Sequence, residues 1–225
     1  QNWALAVGAI YKQTQGENPY FLGGKIPRES SVEELKNDWN ITDQKTLLAE
    51  LDNLRDSGHH AKYQRQGAEL AALSDADFAA KIISLKTEDA RQATSLRNSY
   101  LKWKDRSGLA WDMCHSVALV NNGFNAGYIA EQESWNRLFA IAELARKNFG
   151  SWQVLGDNFL DGREIWANKR DPQFEACVQL LLNPKDPNSP WNQNPWNTPL
   201  SGSTTTDSTP ASPGGPGSVR AAIMQ

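Results

Sequence analysis

The stretch Leu109-Ala-Trp-Asp-Met-Cys-His-Ser-Val-Ala-Leu-Val120 decides the fold. At the helical period of 3.6 residues, Ala110, Trp111, Met113, Cys114, Val117, Ala118, Leu119 and Val120 surround the axis. A helix that is apolar on nearly every side is buried among other helices. Its neighbours carry the complementary one-sided pattern. On the C-terminal side, residues 130–148 place Trp135, Leu138, Phe139, Ala142 and Ala145 on one stripe. Residues 152–168 do the same with Trp152, Leu155, Phe159 and Trp166, with Gly162 on the same stripe as a point of close helix approach. On the N-terminal side, helices are expected near 2–14, 28–38, 43–57, 59–73 and 75–86, followed by a polar, helix-favouring segment over 88–105, and a last helix over 172–182. Asn122-Gly123 is expected to end the central helix, and Gly58 to close helix 43–57 as a left-handed cap. Alternation of strand type is missing, so the expected fold is all-α: an irregular or orthogonal bundle of eight or nine helices.

The chain has 225 residues, a formal charge of −3 and nine tryptophans. Mild acidity argues against nucleic-acid or anionic-membrane partners. No window approaches the ~20 apolar residues of a membrane span. Two cysteines, Cys114 and Cys177, cannot build a disulfide scaffold. A cytoplasmic location is expected, with secretion kept as the alternative because Gln1 is not an initiator residue. Near Asn183 the composition changes. Pro184, Pro187, Pro190, Pro195 and Pro199 interrupt any helix, and residues 201–218 are almost wholly Ser, Thr, Gly and Pro. Such a segment cannot bury enough apolar area to offset its ordering entropy. The expected division is a helical domain over 1–185 and a low-complexity tail over 186–225, disordered over 201–218. Within it, Trp191 and Trp196 are expected either to strap the domain surface or to dock on a partner.

Chemistry-bearing residues are few. Asp112, His115 and Ser116 form a polar strip at i, i+3, i+4 on the apolar helix. A buried carboxylate needs a partner, since leaving it unpaired costs several kcal/mol. It is expected either to orient His115 as an acid/base pair or to close a structural ion pair with Arg163. Arg163 itself has Asp112, Asp157 and Asp161 as candidate partners, beside Trp166. His59 and His60 are adjacent, so on a helix they point about 100° apart and rarely chelate one ion together. The spacing names no carboxylate to complete a site. No metal site and no cofactor is therefore expected. The candidate pocket or polar core is Trp111, Asp112, His115, Trp152, Arg163 and Trp166, and the candidate partner contacts are Trp191 and Trp196.

Four segments together resemble a bacterial domain-of-unknown-function family typified by the YbeU and YbeR proteins of enterobacteria. They are Trp3-Ala-Leu-Ala-Val7 with Leu22-Gly-Gly24; Trp39-Asn-Ile41 through Ser57-Gly-His59; Ala110-Trp-Asp112; and Gly127-Tyr-Ile129 through Gly162-Arg-Glu-Ile-Trp166. His115 stands where the family pattern leads one to expect arginine. The resemblance implies a helical fold and supplies no activity.

These features support a helical protein-interaction or accessory domain of a bacterial protein, with another protein as its partner. It is expected to carry an aromatic groove near Trp111, Trp152 and Trp166. The competing expectation is a hydrolase-type enzyme, or a secreted effector or toxin domain, using Asp112 and His115 in a cleft. That alternative requires at least two of Asp112, His115 and His59 to converge within hydrogen-bond reach.

Overall fold

A computed structural model of the chain describes residues 1–23 and 26–200, and every regular element among them is helical. The disorder expected of 201–218 lies outside the described residues. The helices in chain order are α1 (Asn2–Ala6), α2 (Ala9–Thr14), α3 (Arg28–Trp39), α4 (Gln44–Asp56), α5 (His59–Ala71), α6 (Asp75–Ser84), α7 (Thr87–Trp103), α8 (Leu109–Ala126), α9 (Glu131–Asn148), α10 (Trp152–Ala167), α11 (Pro172–Leu182) and α12 (Pro190–Gln193). A single 3-10 turn, Lys104–Arg106, links α7 to α8.

The all-round apolar pattern of α8 has the expected consequence. Every residue of α8 except Phe124 and Asn125 is buried. Helices α2, α3, α4, α5, α9 and α10 pack around it. The helix runs six residues past Val120, beyond the Asn122-Gly123 expected to end it. Leu47 of α4 occupies the space that a side chain at Gly123 would need, so that glycine serves packing. The true end is Gly127, whose φ of 75° makes the left-handed cap that L side chains rarely adopt.

Two other boundaries differ from the expected ones. The segment 2–14 is two helices, broken at Gly8, whose Cα lies against Val117 of α8. A Cβ there would come within 2.5 Å of Val117 Cγ1. The break lets α1 pack on α9 while α2 packs on α8 and α11. Gly58 is not the left-handed cap of α4. Ser57 caps that helix, and Gly58 is the N-cap of α5 with φ −53°.

A satellite cluster of Tyr63, Leu70, Ala93, Leu96 and Ile165 joins α5, α7 and α10. Helix α6 leans on its edge through Phe78 and Ile82. Beyond α11, residues 189–200 lie on the main core. Trp191 is 2% exposed, and its indole N–H donates to Ala6 O at 2.9 Å. Its ring stacks on Trp152 at 5.5 Å between centroids. Trp196 packs edge-on to Trp152 and beside Trp3, with the Arg146 guanidinium over Trp3. The two Pro-Trp units are thus a strap, one tryptophan being sealed inside the main core.

Candidate functional site

The site begins at the N-terminus of α5. The first turn of a helix presents unpaired N–H groups and the positive end of the helix dipole, so it favours an anion. Asp112, one turn into α8, supplies that anion. Its Oδ2 accepts from the backbone N–H of His60 at 2.8 Å. The same oxygen lies 2.8 Å from His60 Nδ1, and Oδ1 lies 2.9 Å from His59 Nδ1. Two adjacent side chains about 100° apart do not converge on one point. Here they grip the two oxygens of one carboxylate. Gly58 makes the approach possible, because a Cβ at that position would stand 2.5 Å from Asp112 Oδ2.

Burial alone would raise the Asp112 carboxyl. The hydrogen bonds from His59 and His60 outweigh it and hold the group below the usual carboxylate range, so it remains ionised.

His115, one turn further along α8, packs beside this cluster. Its ring is enclosed by Trp111, Trp39 and Tyr11, at 4.1, 5.1 and 5.3 Å between centroids. It is 6% exposed, and its Nδ1 has no hydrogen-bond partner. Burial pushes its proton affinity down to about 3 against the pull of Asp112, so the ring is neutral. One donor atom from each of His59, Asp112 and His115 lies within 4.8 Å of the others. All three histidines of the chain belong to this assembly.

Several expected pairings are corrected. Asp112 does not orient His115, since its carboxylate oxygens are taken by His59 and His60. Arg163 pairs with none of Asp112, Asp157 and Asp161; it donates to Asp171 Oδ2 at 3.1 Å, a residue at the start of α11. Its guanidinium lies over Phe174 and Trp166. Trp166 is not a core residue but 56% exposed, at the outer end of a ring chain that runs through Trp111 to His115. Trp152 belongs to a different cluster, with Trp3, Trp191 and Trp196, so the single groove expected near Trp111, Trp152 and Trp166 is divided. Trp191 is sealed away from any partner, and Trp196 is half-buried.

Two features escaped the sequence. A cavity of ≈180 Å³ opens between α4, α8 and α9. Leu51, Leu54, Met113, Ile141 and Leu144 give it an apolar lining, with Asp112, Arg55 and Arg137 as charged members. The second feature is Lys12, 0% exposed, whose ammonium donates to Asn121 Oδ1 at 2.8 Å and to Phe21 O at 3.4 Å. A lysine at the third turn of an apolar N-terminal segment reads as a surface position. It is internal because α2 packs on α8 and α11, with Asn121 of α8 and Phe21 of the 17–23 loop accepting from its ammonium. The buried Asp112 carried a legible signal only in part: its demand for a partner was readable, but the sequence pointed to His115 or Arg163 and not to the pair His59 and His60 that meets it.

These features define an all-helical domain with one buried carboxylate–histidine centre in its core. The family of proteins of unknown function known as DUF1266 matches residues 34–196, and the chain belongs to that family. The match includes the whole Asp112 centre and the strap as far as Trp196. Neither the curated proteins nor the solved structures contain a match to this chain.

Proposed function

We propose that the chain is an accessory domain that binds another protein through the cavity between α4, α8 and α9. The observation that carries this reading is the chemistry of that cavity. Its walls are leucine, isoleucine and methionine, and its charged members Arg55 and Arg137 sit with Asp52 between them. Such a site accepts one apolar side chain of a partner, with a carboxylate nearby to compete for the arginines. The resemblance to the YbeU and YbeR proteins supports a bacterial origin. The formal charge of −3 favours a protein partner over a nucleic acid. The two cysteines, carried as buried thiols, fit the cytoplasm. No described helix is long and apolar enough to cross a membrane.

The test uses Ala140, an exposed residue at the cavity lining, so Ala140→Trp closes the site without disturbing the core. Peptides are selected from a random display library on the wild-type protein and on this variant. Sequences with an apolar anchor beside an acidic residue should enrich on the wild type alone. Equal enrichment on both proteins refutes the reading.

The hydrolase or effector reading is favoured by a separate observation, the 2.9 Å contact between Asp112 and the partly exposed His59. Asp112 would orient His59 as a general base. Hydrolysis of a panel of chromogenic esters, lost in His59→Gln, supports it, and turnover unchanged by that substitution refutes it. Growth arrest on expression, relieved by the same substitution, separates an effector from a housekeeping hydrolase.

A further inference from the structure

The geometry points to a binding site for one divalent transition-metal ion of the zinc type, held by His59, Asp112 and His115. The inference goes beyond partner binding and does not rest on it: of the three ligands only Asp112 borders the cavity between α4, α8 and α9, and neither histidine does.

Three observations converge. The first is the donor set. Two imidazoles and one carboxylate are a usual three-residue set for zinc, which takes His nitrogen at about 2.0–2.1 Å and carboxylate oxygen at about 2.0–2.2 Å. Those bond lengths place tetrahedral ligand atoms roughly 3.3 Å apart. The His59 nitrogen and Asp112 Oδ1 are already 2.9 Å apart, and the widest separation within the trio is 4.8 Å. Closing on an ion brings the widest pair together by about 1.5 Å, from 4.8 Å to that tetrahedral spacing.

The second is the unsatisfied imidazole. His115 is enclosed by three aromatic rings, and its buried Nδ1 bonds to nothing. Leaving a buried polar atom without a partner costs about 1–3 kcal/mol, a cost that an ion bound at this nitrogen would remove. A histidine kept only to fill space beside Trp39 and Trp111 has no need of a nitrogen there.

The third is the support around the carboxylate. His60 takes no part in the trio, yet its ring and its backbone N–H both hold Asp112 Oδ2. That leaves Oδ1 as the oxygen turned toward His59. Ligands fixed in this way by an outer hydrogen-bonding residue are the normal architecture of metal sites. Three protein ligands leave a fourth position for water or for a ligand atom from a bound molecule.

The experiment uses the full chain, stripped with a chelator and titrated with Co²⁺, a coloured stand-in for zinc. One equivalent should produce the visible d–d bands of a tetrahedral site, and Zn²⁺ should abolish them. His59→Gln, Asp112→Asn and His115→Phe should each remove the bands. His60→Ala should retain them with about 10–100-fold weaker affinity. Helical circular dichroism is recorded for each variant. If Asp112→Asn fails to fold, His59→Gln decides, because that side chain is one-third exposed and outside the apolar core. The chain has no histidine elsewhere, so no second histidine site can supply the signal. Absence of bands in the wild type overturns the proposal. So does weak binding that the variants leave unchanged, which marks an adventitious ion only.

Discussion

Lys12 gives the sharpest test of the packing around α8. Its ammonium is wholly buried, and its two hydrogen-bond acceptors, Asn121 Oδ1 and Phe21 O, are uncharged. Desolvation pulls its proton affinity from 10.5 to about 8, with Glu17 opposing the fall. Below pH 8 both the folded and the unfolded chain carry the proton. The folded state then bears the full penalty, which for a displacement of this size is about 3 kcal/mol. Between pH 8 and 10.5 the unfolded chain holds a proton that the folded chain has released. Stability therefore rises with pH through that window. Integrated from about pH 7 to about pH 9.5, the gain is about 2 kcal/mol. The assay is urea unfolding followed by tryptophan fluorescence at those two pH values, on the wild type and on Lys12→Met. Methionine keeps the length of the stem and removes the charge. The wild type should gain about 2 kcal/mol more than the variant does, other titrations being common to both. An identical pH dependence of the two proteins would refute the claim that Lys12 is buried in charged form at neutral pH.

Three further outcomes follow from the same packing. Asp112→Ala leaves the His60 backbone N–H and two imidazoles without their acceptor, and should lower unfolding free energy by about 3–5 kcal/mol in urea titrations. Trp191→Ala removes a stacked, fully enclosed indole that bonds to Ala6 O, and should cost about 3–5 kcal/mol by thermal unfolding. A loss below about 0.5 kcal/mol would mean that the strap is detached in solution. Burial pushes the Cys177 thiol up to about 11 and raises Cys114 as well. Both thiols should therefore resist a thiol-reactive disulfide reagent in the folded protein and react at once in denaturant. Fast reaction of the folded chain would contradict their burial.

Local pattern accounts for much of the fold. The stripes of α4, α9 and α10 and the all-round apolarity of α8 are periodic, so they are visible in one dimension. Helix ends were legible where a side chain caps them, as Ser74 does for α6 through Asp77 N–H at 3.1 Å. Ends set by tertiary contact were not. Gly8 stands at a break between two helices and Gly123 inside one, yet both are packed tightly, against Val117 and Leu47 respectively. Nothing in the neighbouring residues distinguishes these two glycines. Trp166 and Trp191 are the same residue type in similar polar surroundings. One lies outside and the other inside because α12 folds back onto α1, a contact 185 residues apart in sequence.

The sequence by itself determined that this chain is helical, that α8 lies at its centre and that Asp112 needs a partner. Those properties follow from side-chain periodicity and from the cost of an unpaired buried charge. Tertiary structure decided which partner that would be. Arg163 was the nearer guess by charge, but it points to Asp171, and the partners are two neighbouring histidines more than fifty residues upstream. A helix N-terminus can be brought against a carboxylate only when α5 is docked across α8 with a glycine at the crossing. The order of residues along the chain does not encode that docking in any local window. The physical reason is that pairing a buried charge is a demand stated locally and met only by what the global packing brings within about 3 Å.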